Sequence, residues 1–228
     1  MNRSLIAAIL CTACAMPAAA QTDPEYRMEI GAGLGLVAYQ GDFGGGVFGG
    51  AQPMASAMLR RVINPYMALR IAAAYGQLKG SSDKADTYYP DYAAGAYRFS
   101  NTLVDVSATY EYNFWPYGTG RDYRGASRIT PFVFAGIGAT YAGGDTKSVF
   151  TANVPLGIGV KYKIAPRLNM ALEWAEHFSM SDRLDGQKDP YGIRSSGLFK
   201  NTDCYSALQL TLTYSFMPKC RTCHNEDE

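Results

Sequence analysis

The sequence predicts an all-β chain, an eight-stranded antiparallel transmembrane β-barrel of the outer-membrane kind. Three observations predict it. About eight segments alternate apolar and polar residues with period two, the pattern of a strand with lipid on one face and a polar lumen on the other. The clearest is Cys204 to Phe216, where Ser206, Leu208, Leu210, Leu212, Tyr214 and Phe216 fall on one side. Tyr205, Ala207, Gln209, Thr211, Thr213 and Ser215 fall on the other, and the segment ends on an aromatic. The connections between segments alternate between long and short. Finally, residues 1–20 read as a secretory leader: Arg3 gives the positive end, Leu5 to Met16 the apolar stretch, and Ala18-Ala19-Ala20 an A-x-A cleavage site before Gln21. That apolar stretch is shorter than the ~20 residues a spanning helix needs. A lipoprotein site would want a small residue just before the modified Cys and Leu three before it; Leu10 precedes Cys11, and Cys11 lies three before Cys14, so neither fits.

The elements follow in order. Strand one, near Met28 to Tyr39, places Ile30, Ala32, Leu34, Leu36 and Ala38 outward and Gly31, Gly33 and Gly35 inward. Small inward residues suit a narrow barrel, whose interior holds little besides side chains. The same G-x-G-x-G has period two and no strand-turn-helix setting, so it is not a nucleotide loop. Strand two covers about Ala51 to Val62, and Asn64-Pro65 turns the chain. Strand three, Tyr66 to Leu78, faces Met67, Leu69, Ile71, Ala73 and Tyr75 outward and Arg70 inward. Strand four, Phe99 to Phe114, faces Val104, Val106, Ala108, Tyr110 and Tyr112 outward, with Asp105, Ser107, Thr109 and Glu111 inward. Strand five, Ile129 to Tyr141, and strand six, Thr151 to Ile164, put Gly136, Gly138, Gly157, Gly159 and Lys161 inside. After the turn Ala165-Pro166-Arg167, strand seven runs Leu168 to Phe178 with Glu173 inward, and Cys204 to Phe216 is strand eight.

With both termini in the periplasm, the turns at Asn64-Pro65 and Ala165 to Arg167 are periplasmic, and Trp115 to Arg128 is a longer periplasmic turn. Gln40 to Gly50, Lys79 to Arg98, Ala142 to Phe150 and Ser179 to Asp203 become outer loops. Long outside and short inside is the usual asymmetry of such barrels. Aromatics then gather at both rims: Tyr39, Tyr75, Phe99, Tyr141, Phe178 and Tyr205 at one, Tyr66, Phe114, Trp115, Tyr162 and Phe216 at the other. A formal net charge of +1 excludes a broad electrostatic nucleic-acid binder.

Four groups of residues bear on chemistry. The inward charges Arg70, Asp105, Glu111, Lys161 and Glu173 read as a lumen salt-bridge network that plugs the barrel, because buried charges must pair and eight strands leave little room for water; a narrow conduction path is the competing reading. His177 and Ser179, two apart on a strand and near Glu173 and Glu176, share a face as a nucleophile and base would, and H-x-S in a late strand has a passing similarity to lipid A deacylases. No oxyanion hole is legible, and a strand end leaving the membrane accounts for the same residues. Cys220-Arg221-Thr222-Cys223-His224 matches C-x-x-C-H haem attachment in form. With only four residues beyond it, a local disulfide in an oxidising compartment, or pairing with a partner, fits better. Cys204, at the opposite rim, is too far to join them. Glu226-Asp227-Glu228 ends the chain as a solvated tail or a docking tag. We therefore expect no catalytic, cofactor or metal site.

Several segments in order resemble the PorG family, barrel components of the type IX secretion system of Bacteroidetes-type bacteria. They are Met28 to Phe43 (M-E-I-G-A-G-L-G-L-V-A-Y-Q-G-D-F), Arg128 to Gly138, Asn153 to Trp174, Phe178 to Gly186, and the final strand followed by Lys219-Cys220. The most specific pieces are Gly41-Asp42 and the S-D-x-L-D pattern at Ser181 to Asp185. The resemblance implies a non-enzymatic outer-membrane component that contacts the periplasmic ring of PorK and PorN, and it undercuts the deacylase reading. On topology, the contacts with that ring would come from the periplasmic turn (Trp115, Tyr117, Arg121, Tyr123, Arg124) and the tail (Cys220, Cys223, His224). The expected organisation is a leader over 1–20, a barrel over 21–217 and a periplasmic tail over 218–228. The rival is a generic small OmpA-like barrel or adhesin working through its outer loops, with Tyr88, Tyr89, Tyr92 and Tyr97 as its surface.

Overall fold

The structure, a computed structural model, describes residues 26–40, 50–81, 98–118, 126–144, 148–181, 184 and 203–218. Eight strands form a closed antiparallel barrel in chain order. They are β1 (Tyr26–Gln40), β2 (Gln52–Asn64), β3 (Met67–Ser81), β4 (Arg98–Asn113), β5 (Ile129–Gly144), β6 (Val149–Ala165), β7 (Leu168–Ser179) and β8 (Cys204–Pro218). The seam between β1 and β8 runs from Tyr26 opposite Pro218 to Gln40 opposite Cys204, so no strand edge is left open. Closure is what lets a sheet satisfy its backbone groups in a medium without water. The fold is thus the outer-membrane type of barrel that the alternation predicts.

The two faces differ as a lipid belt and a lumen should. Outside stand aliphatic residues such as Leu34 (74% exposed) and Ile137 (72%), joined by Ile30, Ile71, Ile158, Leu172 and Leu210. Inside, Thr109, Thr130, Thr140, Asn153 and Thr211 are buried together with charged residues. Two outward residues are covered rather than exposed. Ala38 and Ser206 sit on the outer face yet are only 1% exposed. They are cross-strand partners, and Ser206 is covered by the hydrogen bonds it makes to Trp174 and Glu176. The strands also run further than expected, β3 to Ser81 and β5 to Gly144, while Tyr66 belongs to a turn. Pro218, expected in the tail, is the last residue of β8.

Two turns at the end of the barrel that holds both termini share one design. In each a proline fills a two-residue turn, and the preceding strand carries a register shift, between Val62 and Asn64 in β2 and between Lys163 and Ala165 in β6. Proline presets the turn dihedral and needs no ladder partner. Asn64 adds an Asx turn, its side-chain oxygen accepting from Tyr66 N at 2.8 Å.

Inside, β5 and β6 fit by size. Phe132 faces Gly159 and Phe134 faces Gly157 across the strand pair. A Cβ on Gly159 would lie 2.6 Å from the Phe132 ring and from the Leu172 carbonyl, so the aromatic rings occupy space that only glycine leaves. The expected leader, the Tyr88 to Tyr97 loop and the residues beyond Pro218 lie outside the described residues. Gly159→Val should cost about 1–3 kcal/mol through overpacking. Urea unfolding of the vesicle-inserted barrel checks this, and a wild-type midpoint would count against the Phe132–Gly159 fit.

Candidate functional site: a filled lumen

The lumen is built in layers. The layer nearest the termini is a charge network drawn from six strands. Arg60 Nη1 donates to Glu29 Oε2 at 2.6 Å, and its Nε lies 2.9 Å from Glu111 Oε2. Arg70 Nη1 donates to Glu173 Oε2 at 2.6 Å, and its Nε lies 3.2 Å from Glu111 Oε1. Lys161 Nζ donates to Glu111 Oε2 at 2.6 Å and Asn113 Oδ1 at 2.9 Å. Three cations meet three carboxylates, so the network is neutral and Glu111 is its hub. Neutral partners add further hydrogen bonds to the outer two carboxylates: Gln209 and Thr211 donate to Glu173, and Asn169 and Ser215 to Glu29. The cations are also roofed by rings, with Arg70 4.4 Å from the Phe134 centroid and Lys161 Nζ 4.2 Å from that of Phe132.

The next layer centres on Asp105. Its Oδ2 accepts from Tyr205 Oη at 2.9 Å, Thr140 Oγ1 at 3.0 Å and Asn153 Nδ2. His177 stacks on the Tyr205 ring at 4.5 Å, with Nδ1 3.0 Å from the Tyr205 hydroxyl. A cavity of about 40 Å³ separates this layer from the charge network, lined by Arg70, Asp105, His177, Tyr205 and Gln209 among others. Beyond Asp105 the lumen turns apolar. Val37, Tyr39, Leu78, Phe99 and Leu103 pack around Leu184, which enters from the connection between β7 and β8. Leu184 is pinned by its backbone: its N donates to Asp203 Oδ2 at 2.8 Å, and its O accepts from Asn101 Nδ2 at 2.9 Å. Tyr39 donates to the other Asp203 oxygen.

The opposite mouth is stopped by Tyr117. The chain after β4 folds back, with Tyr117 N donating to Pro65 O at 3.1 Å and Ser127 N to Pro116 O at 2.7 Å. The phenol enters the lumen and donates to Asn169 Oδ1 at 3.1 Å. Burial, and then the Glu29 carboxylate, hold that phenol above its usual pKa, so it stays a donor. Lys163 Nζ fastens the same segment through Gly118 O at 3.0 Å.

Among the residues singled out from sequence, Arg70, Glu111, Lys161 and Glu173 stand in one network, and Asp105 stands apart from them in its own layer. Glu29 and Arg60 complete the network and were missed. Glu29 carried a signal, its phase in step with the inward Gly31, whereas Arg60 carried none, because Arg61 stands beside it in a strand of low contrast. His177 and Ser179 do not pair, and the strand-end reading of them fits the structure. His177 bonds Tyr205, while the Ser179 hydroxyl donates to Ser181 O at 3.2 Å and accepts from Ser181 N at 3.0 Å, the work of a strand-end turn. Tyr117 is corrected as a partner contact because it is buried inside the barrel, whereas Trp115 is 49% exposed. Arg121, Tyr123, Arg124, Cys220, Cys223 and His224 lie outside the described residues. The Cys204 thiol is free and donates to Gln40 O at 3.3 Å.

Two outcomes follow. Arg70→Met strands Glu173 and should destabilise the barrel by about 3–5 kcal/mol, whereas Arg70→Met with Glu173→Gln restores neutrality and should recover most of that loss. Equilibrium unfolding of the two variants checks both. Planar-bilayer recording of the wild-type chain should show no steady single-channel current.

The chain matches the family described as "Domain of unknown function (DUF6089)" over residues 3–225. No curated protein matches it. Among solved structures, it resembles Neisserial surface protein A at 14% identity, with a TM-score of 0.47, covering 83% of this chain and 97% of that one. It also resembles Ail, the attachment invasion locus protein of Yersinia pestis solved with a heparin analogue, at 11% identity and a TM-score of 0.48, covering 84% and 99%. The outer membrane enzyme PagL aligns at 14% identity with a TM-score of 0.41, covering 82% and 99%. The match over nearly the whole chain identifies this protein as a member of the DUF6089 family.

Proposed function

We propose that this chain is a non-enzymatic outer-membrane component of the type IX protein secretion machinery, contacting a periplasmic ring of the PorK and PorN kind. The observation that carries the non-conducting part is the filled lumen. With a neutral charge network in the barrel, Tyr117 at one mouth and Leu184 at the other, no route for solute is left among the described residues. The work of such a barrel falls to its ends and its outer wall. The apolar belt supports an outer-membrane location, since closed barrels with lipid-facing aliphatics span that membrane.

The secretion assignment is supported by the ordered resemblance from Met28 to Lys219. The structure gives its most specific motif a physical role, since Leu184 of the S-D-x-L-D pattern is the residue that stops the loop-side mouth. At the other end Phe114 and Trp115 are exposed beside the folded-back segment, an aromatic edge suited to a protein partner. Ser179, bonded within its own turn, supports the non-enzymatic reading.

The test is gentle solubilisation of outer membranes and pull-down through a tag in an outer loop. Ring proteins of the PorK and PorN kind are expected to co-purify, and Trp115→Ala or deletion of 219–228 should reduce their recovery severalfold while the barrel still inserts. Recovery of the barrel alone, under conditions that keep the ring intact, would sink the proposal in favour of a free-standing barrel. A change in lipid A mass that depends on Ser179 would sink the non-enzymatic part.

A further inference from the structure

The outer wall carries a groove of about 520 Å³ that the lumen does not explain. Its floor is a cross-strand row in continuous register: Tyr110 opposite Ala135, Ala135 opposite Leu156, Leu156 opposite Glu176. Ala135 is the shallow point of the row, and the taller Tyr112, Trp174 and Phe178 stand around it as walls. Three strand spacings separate the ends, so the groove is about 14 Å long.

Its two ends differ in depth and chemistry. Glu176 is three residues from the loop end of β7, and Tyr110 is three residues from the terminus end of β4. The groove therefore slants from the loop-side rim down into the belt. Glu176 places a carboxylate on the lipid-facing wall, where a charge is costly unless it is used. Its Oε1 accepts from Ser206 Oγ at 2.7 Å and Gln40 Nε2 at 3.2 Å. Among the described residues no cation pairs with it. The Trp174 indole is held beside it, its N–H donating to the same Ser206 hydroxyl at 2.7 Å.

We infer that this groove is a binding site for one aminophospholipid, its acyl chain lying along the Ala135–Leu156 floor and its primary ammonium held by Glu176 and the Trp174 face. The apolar slot suits an aliphatic chain, and the slant places the head at the rim and the tail in the belt. The carboxylate lacks only a cation, and an ammonium beside an indole adds a cation–π contact. An anionic lipid would bring a like charge to the same carboxylate. The inference rests on the membrane-spanning reading and is independent of the secretion partner.

The experiment uses the whole mature chain, purified in mild detergent, stripped of lipid, and titrated with phosphatidylethanolamine or phosphatidylglycerol of identical acyl chains. Native mass spectrometry counts the adducts. One retained phosphatidylethanolamine is expected, preferred over phosphatidylglycerol by about fivefold. Glu176→Gln should bring that ratio near one while a chain-length-dependent adduct persists. Ala135→Trp, which fills the floor, should remove the retained adduct, and Ala135→Leu serves if the larger residue blocks folding. Resistance of each variant to unfolding in cold detergent, read by gel mobility, reports folding separately. A chain that never enters lipid vesicles would overturn the membrane-spanning reading. A folded, inserted barrel with no preference, or with the same preference in Glu176→Gln, would overturn the groove.

Discussion

Glu111 holds three cations at once, and the geometry of this barrel is arranged around that fact. Arg60, Arg70 and Lys161 come from three different strands and converge on one fully buried carboxylate. All three are buried there, and each is paired with carboxylates on the wall opposite. The partners that complete them, Glu29 and Glu173, lie on strands from the two halves of the chain. The network therefore spans the ring, and it can form only when the barrel is closed in the observed register. A slip of one residue in β3, for example, would turn Arg70 out to lipid and bring Leu69 or Ile71 in. Burial of these ions earns little net stability by itself. It selects one register among many that aliphatic packing alone would tolerate.

The rest of the interior follows from this layer. Rings must roof the cations, so Phe132 and Phe134 stand on β5, and the facing positions of β6 must be glycine. Polar residues gather where they can serve the carboxylates, and apolar ones are released to the far half, where Val37, Leu78, Leu103 and Leu184 form a small conventional core. The lumen thus has a hydrophilic half and a hydrophobic half, each closed by a residue from outside the strands.

How much of this a sequence shows depends on periodicity. In β3 to β8 the alternation is clean, because lipid and lumen demand opposite residue types. Strand phase was therefore legible, and with it the inward aim of Arg70, Glu111, Lys161 and Glu173. β2 was harder, since Met, Ala and Ser alternate there with little contrast, and Arg60 beside Arg61 gives no sign of which one turns in. The two stoppers were illegible for a different reason. Tyr117 and Leu184 lie in connections, where no period constrains the chain, and their burial is decided by contacts with Asn169 and Asp203 far away in sequence. His177 and Ser179 show what phase leaves open: it places two side chains on one face without making them partners, and Tyr205 and Ser181 claim them instead.

A buried, neutral charge network whose members each answer to more than one other side chain has a bearing on how such a chain can change over generations. Water-filled pores accept single substitutions in the lumen, because solvent covers for a lost partner. Here the partners are other side chains. A change at Arg60 obliges a change at Glu29 or Glu111, and a larger residue at Gly159 obliges a smaller one at Phe132. Inward positions of relatives should drift in matched sets or stay fixed, while the lipid-facing positions beside them exchange Leu, Ile and Val freely. Divergence in this architecture would then accumulate on the wall and in the loops, with the interior inherited as a unit.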